Sequence, residues 1–120
     1  PWEEYLGAVE CYVQKEDVEN EIKFERLWRK TFQSQVICLH WDQTSNNLLI
    51  GTDDGTLTIL KVAADSGYTK FEEVLVDYKL HTARIMGVYF DPISEYVYTV
   101  SEDKKFKVYN PRKETIVAGN

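Results

Sequence analysis

The sequence predicts an all-β fold made of a repeated antiparallel sheet, and three observations carry that prediction. Short β-branched and aromatic runs recur roughly every 8–12 residues, separated by polar or Gly-containing turns. Sliding the chain on itself by 49 residues aligns Val36–Val62 with Ile85–Pro111 without a gap. The chain has 120 residues, 43% hydrophobic and 28% charged, with only 6 Gly and 3 Pro, which is the composition of one ordinary globular domain.

The strands follow in order. "LGAVECYV" at 6–13 is a half-apolar run, and "FERLWRKTF" at 24–32 pairs with it, although the latter could also pass for a short helix. Runs at 36–41, 47–52, 56–62 and 71–78 form one set of four, and runs at 84–90, 95–101, 105–109 and 113–117 form the next. Pro92 and Pro111 sit at strand ends, where a missing N–H costs nothing. The segments 16–21 and 63–68 are expected to be long, polar, mobile hairpin loops.

Within the 49-residue repeat, Asp42 falls on Asp91, Ser45 on Ser94, Thr52 on Ser101, Asp53 on Glu102 and Asp54 on Asp103. Trp41 falls on Phe90, Leu57 on Phe106 and Ile59 on Val108. A partial third copy comes first, since residues 6–12 overlay residues 54–60. The unit is a small antiparallel sheet of about four strands, used more than once.

Charge excludes some functions. The formal net charge of −6 argues against general nucleic-acid binding, where Lys and Arg on phosphates supply most of the affinity. Acids crowd the first 25 residues, whereas Lys104, Lys105, Lys107, Arg112 and Lys113 form a basic run with no acid among them. A solvated surface explains both, and an electrostatic partner site is the sharper alternative. Cys11 and Cys38 make no disulfide framework, which fits a reducing, cytoplasmic compartment. No apolar stretch reaches the ~20 residues of a membrane span. The chain starts at Pro1 and its one methionine is Met86, so an excised piece of a longer protein is expected.

These residues carry a family resemblance. "IGTDDGTLTILK" at 50–61 and "TVSEDKKFKVYN" at 99–110 resemble the "SGSDDGTVKLWD" of WD40-repeat β-propeller blades. Leu80-His81 stands at the Gly-His position of that pattern, and Gly119-Asn120 where the next pair would fall. The layout of consecutive blades is also similar to that of WD-repeat, FYVE-containing endosomal proteins, although two Cys and two His cannot supply a FYVE zinc module. The resemblance implies consecutive four-stranded blades of an incomplete propeller. Residues 1–34 are the last two strands of one blade, 35–82 a second blade and 83–120 a third. Ile50, Leu60 and Tyr109 depart from the pattern. Only the third blade can carry the family's buried hydrogen-bond relay, through His81, Thr99, Asp103 and Tyr109, while Asp54 alone remains in the second.

Each candidate for chemistry has a structural reading beside it. Asp53-Asp54-Gly55 suits a tight turn, because Gly takes positive φ freely and an Asx side chain accepts turn N–H groups; a metal would need further oxygen ligands. His81, Ser101 and Asp103 suggest a nucleophilic triad, but no G-x-S-x-G elbow surrounds Ser101, and the repeat makes Asp103 a turn residue with His81 as its partner. His40 beside Cys38 lacks the four ligands of a zinc site. No cofactor or metal is expected.

The predicted function is a non-enzymatic protein-interaction scaffold. The resemblance implies that partners meet the loops before the first strand of each blade and between its second and third strands, which means Ser34, Gln35, Asp53, Thr82, Arg84 and Glu102. The remaining blades would come from further chain, a partner or self-association, because about two and a half blades cannot close a ring. Two alternatives differ in class. One is a phosphoinositide-linked, endosome-associated recruitment protein touching membrane through Lys104–Lys113. The other is an enzyme using the His81/Asp103 pair, which requires an open pocket there.

Overall fold

The computed structural model describes residues 5–120, so the first four residues of the 1–34 segment lie outside the described residues. Ten strands form three antiparallel sheets: β1 (Gly7–Glu16) with β2 (Ile22–Phe32), then β3 (Val36–Asp42), β4 (Asn47–Thr52), β5 (Leu57–Val62) and β6 (Phe71–Asp77). The third sheet is β7 (Ile85–Phe90), β8 (Val97–Ser101), β9 (Phe106–Asn110) and β10 (Thr115–Gly119). Each four-stranded sheet is a meander of sequential neighbours. The segment 24–32 is a strand along its whole length, since β1 pairs with it from Gly7↔Phe32 to Glu16↔Ile22.

Both hairpin loops carry local hydrogen bonds. At 16–21 the Asp17 carboxylate accepts the Glu19 and Glu21 N–H groups, and this Asx turn lets β1 and β2 run longer than their apolar patterns suggested. At 63–68 a short 3₁₀ turn (Ala64–Ser66) is tied by Ser66 Oγ to the Ala63 carbonyl, and Trp28 Nε1 donates to the Tyr68 carbonyl.

The 49-residue repeat is present bond for bond. Asp53 N donates to Gln35 O as Glu102 N does to Arg84 O, and Thr52 N to Thr56 O as Ser101 N to Lys105 O. Asn46 and Glu95 share positive φ, as do Gly55 and Lys104. Asp42 and Asp91 each accept a hydroxyl from Ser45 and Ser94, closing the turn between the first two strands of their sheets.

Burial depends on what stands next to each sheet. The main core (Leu49, Leu57, Ile59, Leu75, Leu80, Ile85, Phe90, Val97, Tyr109) lies between the second and third sheets. A smaller cluster of Val9, Ile50 and Leu60 joins the first sheet to the second, with Trp28, Phe32 and Phe71 packed on it. Phe90 is 6% exposed because a four-stranded sheet covers it, whereas its repeat partner Trp41 is 40% exposed because the first sheet offers only β1 and β2. The outer sheets leave Tyr12 and Phe24 at one end and Phe106, Ile116 and Val117 at the other open to solvent.

Candidate functional site

Antiparallel meanders put alternate connections on opposite rims. The β2–β3 and β6–β7 loops therefore share one rim with the β4–β5 and β8–β9 turns, and the structure brings all six candidate contact residues to it. Gln35 and Arg84 accept the Asp53 and Glu102 N–H groups at 2.8 and 3.1 Å, which ties each loop to the turn beside it. Thr82 N donates to the Asp103 carboxylate at 3.2 Å, and Ser34 lies near enough to Asp54 to help keep that carboxylate ionised.

Asp53, a candidate contact residue, is paired. Arg84 reaches from the third sheet's loop to Asp53 Oδ1 at 3.0 Å and holds Glu102 Oε1 of its own sheet at 3.3 Å. The result is a partly exposed carboxylate–guanidinium–carboxylate bridge across two sheets. Of the two adjacent aspartates, Asp54 is the more exposed, although it accepts Thr52 Oγ1 at 2.7 Å and Thr56 N at 3.2 Å. Burial would raise its pKa, but these bonds outweigh burial and leave it below the usual value.

Behind the rim lies a buried polar chain. His81, 0% exposed, places Nδ1 at 2.9 Å from Asp103 Oδ2 and Nε2 at 2.7 Å from Thr99 Oγ1. Nδ1–H donates to the carboxylate, and Nε2 shares a hydrogen bond with the Thr99 hydroxyl, which also reaches the Lys107 carbonyl at 3.4 Å. Tyr109 was expected in this chain and does not join it: the ring is buried, but its hydroxyl has no hydrogen-bond partner among the described residues. Burial, and then the nearby Asp77 carboxylate, push its pKa well up.

The nucleophilic reading fails on geometry. Both nitrogens of His81 are engaged elsewhere, while Ser101 Oγ donates to the Ala83 and Arg84 carbonyls and accepts Asp103 N. His40 lies against the Tyr89 ring at 5.0 Å, and the described residues hold no cluster of three His, Cys, Asp or Glu that would fit a metal.

Asp103 carries a pH signature. Burial would raise its pKa, but the His81 bond and the N–H groups of Lys105 and Thr82 override this and lower it from 3.8 to about 2. A depressed carboxylate contributes stability above its unfolded value and loses it as pH falls through the folded one. Asp103→Asn is therefore expected to cost stability near neutrality, with the deficit shrinking as pH drops from about 4 towards about 2. Urea unfolding of both proteins across that window checks it, and a constant deficit would contradict the assignment.

At the junction of the first and second sheets apolar side chains replace this polar chain; the sequence showed the departures at Ile50 and Leu60, and Phe32 in the histidine's place was missed. Phe32, Ile50 and Leu60 stand 49 residues before His81, Thr99 and Tyr109, and all three pack in the smaller cluster. The same offset that revealed the repeat carried this signal at His81↔Phe32.

The basic run does not form one patch. Lys104 and Lys105 lie on the β8–β9 turn, whereas Arg112 and Lys113 lie beyond the far end of β9, about 17 Å away for five residues. Arg112 pairs with Glu95 at 3.3 Å, and Lys107 Nζ donates inward to the Leu80 carbonyl at 2.6 Å.

Among solved structures the chain is similar to Chaetomium thermophilum Sqt1, with 19% identity and a TM-score of 0.68 over 87% of this chain and 25% of that one. It is similar to the same protein bound to the N-terminus of the ribosomal protein L10, with 19% identity and a TM-score of 0.69 over 87% of this chain and 27% of that one. The C-terminal WD40 domain of Sif2 is also similar, with 16% identity and a TM-score of 0.74 over 98% of this chain and 32% of that one. The chain thus spans a quarter to a third of the structures it matches, and likeness at these identities concerns the fold. No curated protein matches the chain. Residues 27–59 and 72–110, more than half of the sequence, match the family described as WD domain, G-beta repeat. With three consecutive propeller-type sheets and a sequence match over most of the second and third, the chain belongs to the WD40 repeat family.

Proposed function

We propose that this chain is part of a non-enzymatic protein-interaction scaffold whose contact surface is the rim bearing Ser34, Gln35, Asp53, Thr82, Arg84 and Glu102. The observation that carries the reading is the Asp53–Arg84–Glu102 bridge. It holds a half-exposed guanidinium in fixed geometry on loops already tied by backbone bonds. Arginine is enriched among residues that dominate interfaces, and a group ordered before binding costs less entropy on association. A Sqt1 structure with a ribosomal-protein N-terminus bound to it supports a protein as the class of ligand. We assign the scaffold to the cytoplasm, where the free thiols of Cys11 and Cys38 stay reduced.

The test is co-purification with the Asp53→Ala/Arg84→Ala/Glu102→Ala variant beside the wild type in the full-length protein. At least one protein retained by the wild type is expected to fall about tenfold or more on the variant, the loss of one interface hot spot. Identical sets of retained proteins, with folding unchanged, would refute the reading.

An endosomal, phosphoinositide-linked role keeps one observation in its favour: Lys104 and Lys105 are exposed on this same rim. Arg112 and Lys113 are too far away to join them in a single contact. Flotation with vesicles containing anionic lipid is expected to give binding only if two lysines suffice. Salt-insensitive or absent binding counts against the role.

A further inference from the structure

We propose that the cavity between the first and second sheets binds a lysine side chain presented by a protein partner. This deepens the scaffold reading and rests on it for the nature of the ligand. The starting point is a difference between two copies of the same unit. In the third sheet, Lys107 fills the junction with its predecessor and its ammonium donates to the Leu80 carbonyl at 2.6 Å. Residues 49 positions earlier are Thr58 and Thr31. Thr58 is too short to span that distance, and a cavity of about 280 Å³ opens where the lysine stem and ammonium lie in the next copy. Thr31, Phe32, Asp54 and Thr58 line it.

Two groups in the cavity can take a further donor. Thr58 is 2% exposed, and its hydroxyl, which makes no hydrogen bond among the described residues, lines the cavity. The Asp54 carboxylate has no cation among the described residues, since Lys30, the one cation on the cavity wall, is taken by Glu73 at 3.0 Å. An ammonium supplies up to three donors, enough for a carboxylate, a hydroxyl and a carbonyl. Its methylene stem suits the Phe32 ring and Val76. A guanidinium grips both oxygens of a carboxylate, but Asp54 Oδ1 already accepts Thr52 Oγ1 and Thr56 N, which leaves Oδ2 better suited to a point charge.

The probe is Nα-acetyl-lysine N-methylamide, followed through threonine methyl resonances, with the norleucine analogue as the uncharged control. Saturable shifts centred on Thr58 and Thr31 are expected, with the norleucine compound binding roughly tenfold or more weakly for want of a charge-assisted hydrogen bond. Thr58→Lys restores the arrangement of the third sheet and is expected to abolish binding. Thr58→Val keeps the shape without the hydroxyl and is expected to weaken it severalfold. Equal binding of the two amides, or full binding by both variants, would overturn the proposal. The probe needs no protein partner, so lysine binding without rim-dependent partners would tell against the scaffold reading and leave the cavity standing.

Discussion

Gly55→Ala is expected to be among the most destabilising single substitutions in this chain, by about 3 kcal/mol or more. Gly55 holds φ at +84°, a conformation in which an L side chain is strained by about 1–2 kcal/mol. That strain is the smaller part. A Cβ there would run into the His81 backbone carbonyl and lie 2.9 Å from that of Ala83, on the loop entering the third sheet. Gly55 O also accepts His81 N, so the turn and loop are bonded as well as in contact and cannot separate cheaply. Gly67→Ala is the control: φ is +70°, but nothing lies within 4 Å of the added carbon, so only the backbone strain is expected. Denaturant midpoints of the two variants measure the difference, and similar losses would mean that the close approach carries no weight.

His81→Phe comes next, with an expected loss of about 3 kcal/mol. It removes a charge-assisted bond from Asp103 and leaves the buried Thr99 hydroxyl without its 2.7 Å partner. Phe32, at the end of the first sheet, holds the equivalent place at the preceding junction and packs on the cluster of Ile50, which stands where Thr99 does. Adding Thr99→Ile to His81→Phe should therefore recover about 1 kcal/mol or more, a positive coupling between touching residues. Asp103 would retain the Lys105 and Thr82 N–H groups, much as Asp54 is satisfied without a histidine. A full double-mutant cycle by chemical denaturation reads the coupling directly. Simple additivity would show that the two versions of the unit are not interchangeable.

Local chemistry explains why the strands were so legible. Alternating β-branched and aromatic residues, with Asp and Gly or Asn at the turns, specify a meander within a window of about 20 residues. The reading of 24–32 was open between strand and helix because "FERLWRKTF" supports both periods; pairing with β1 decided it. Asp54 and Asp103 were recognisable as turn residues because Thr52, Thr56 and Lys105, which they bind, lie within two positions, whereas Ser34, His81 and Thr82 are distant partners. The rim residues could be located from the repeat alone, since the two copies are equivalent.

Their partners could not. Arg84 lies 31 positions from Asp53 in the chain, and nothing in either stretch marks the other as its counter-charge. Trp41 and Phe90 occupy equivalent sites, and only the number of strands in the preceding sheet leaves one open and buries the other. The basic run looked continuous because sequence distance ignores the strand that separates its ends. By itself the sequence determined the strands, their turns and the family, because those depend on interactions within one sheet. The tertiary structure decided which acids are paired, where the polar chain ends and why a cavity faces Thr58. Those depend on contacts between sheets, whose geometry is set by packing and leaves no local period to read.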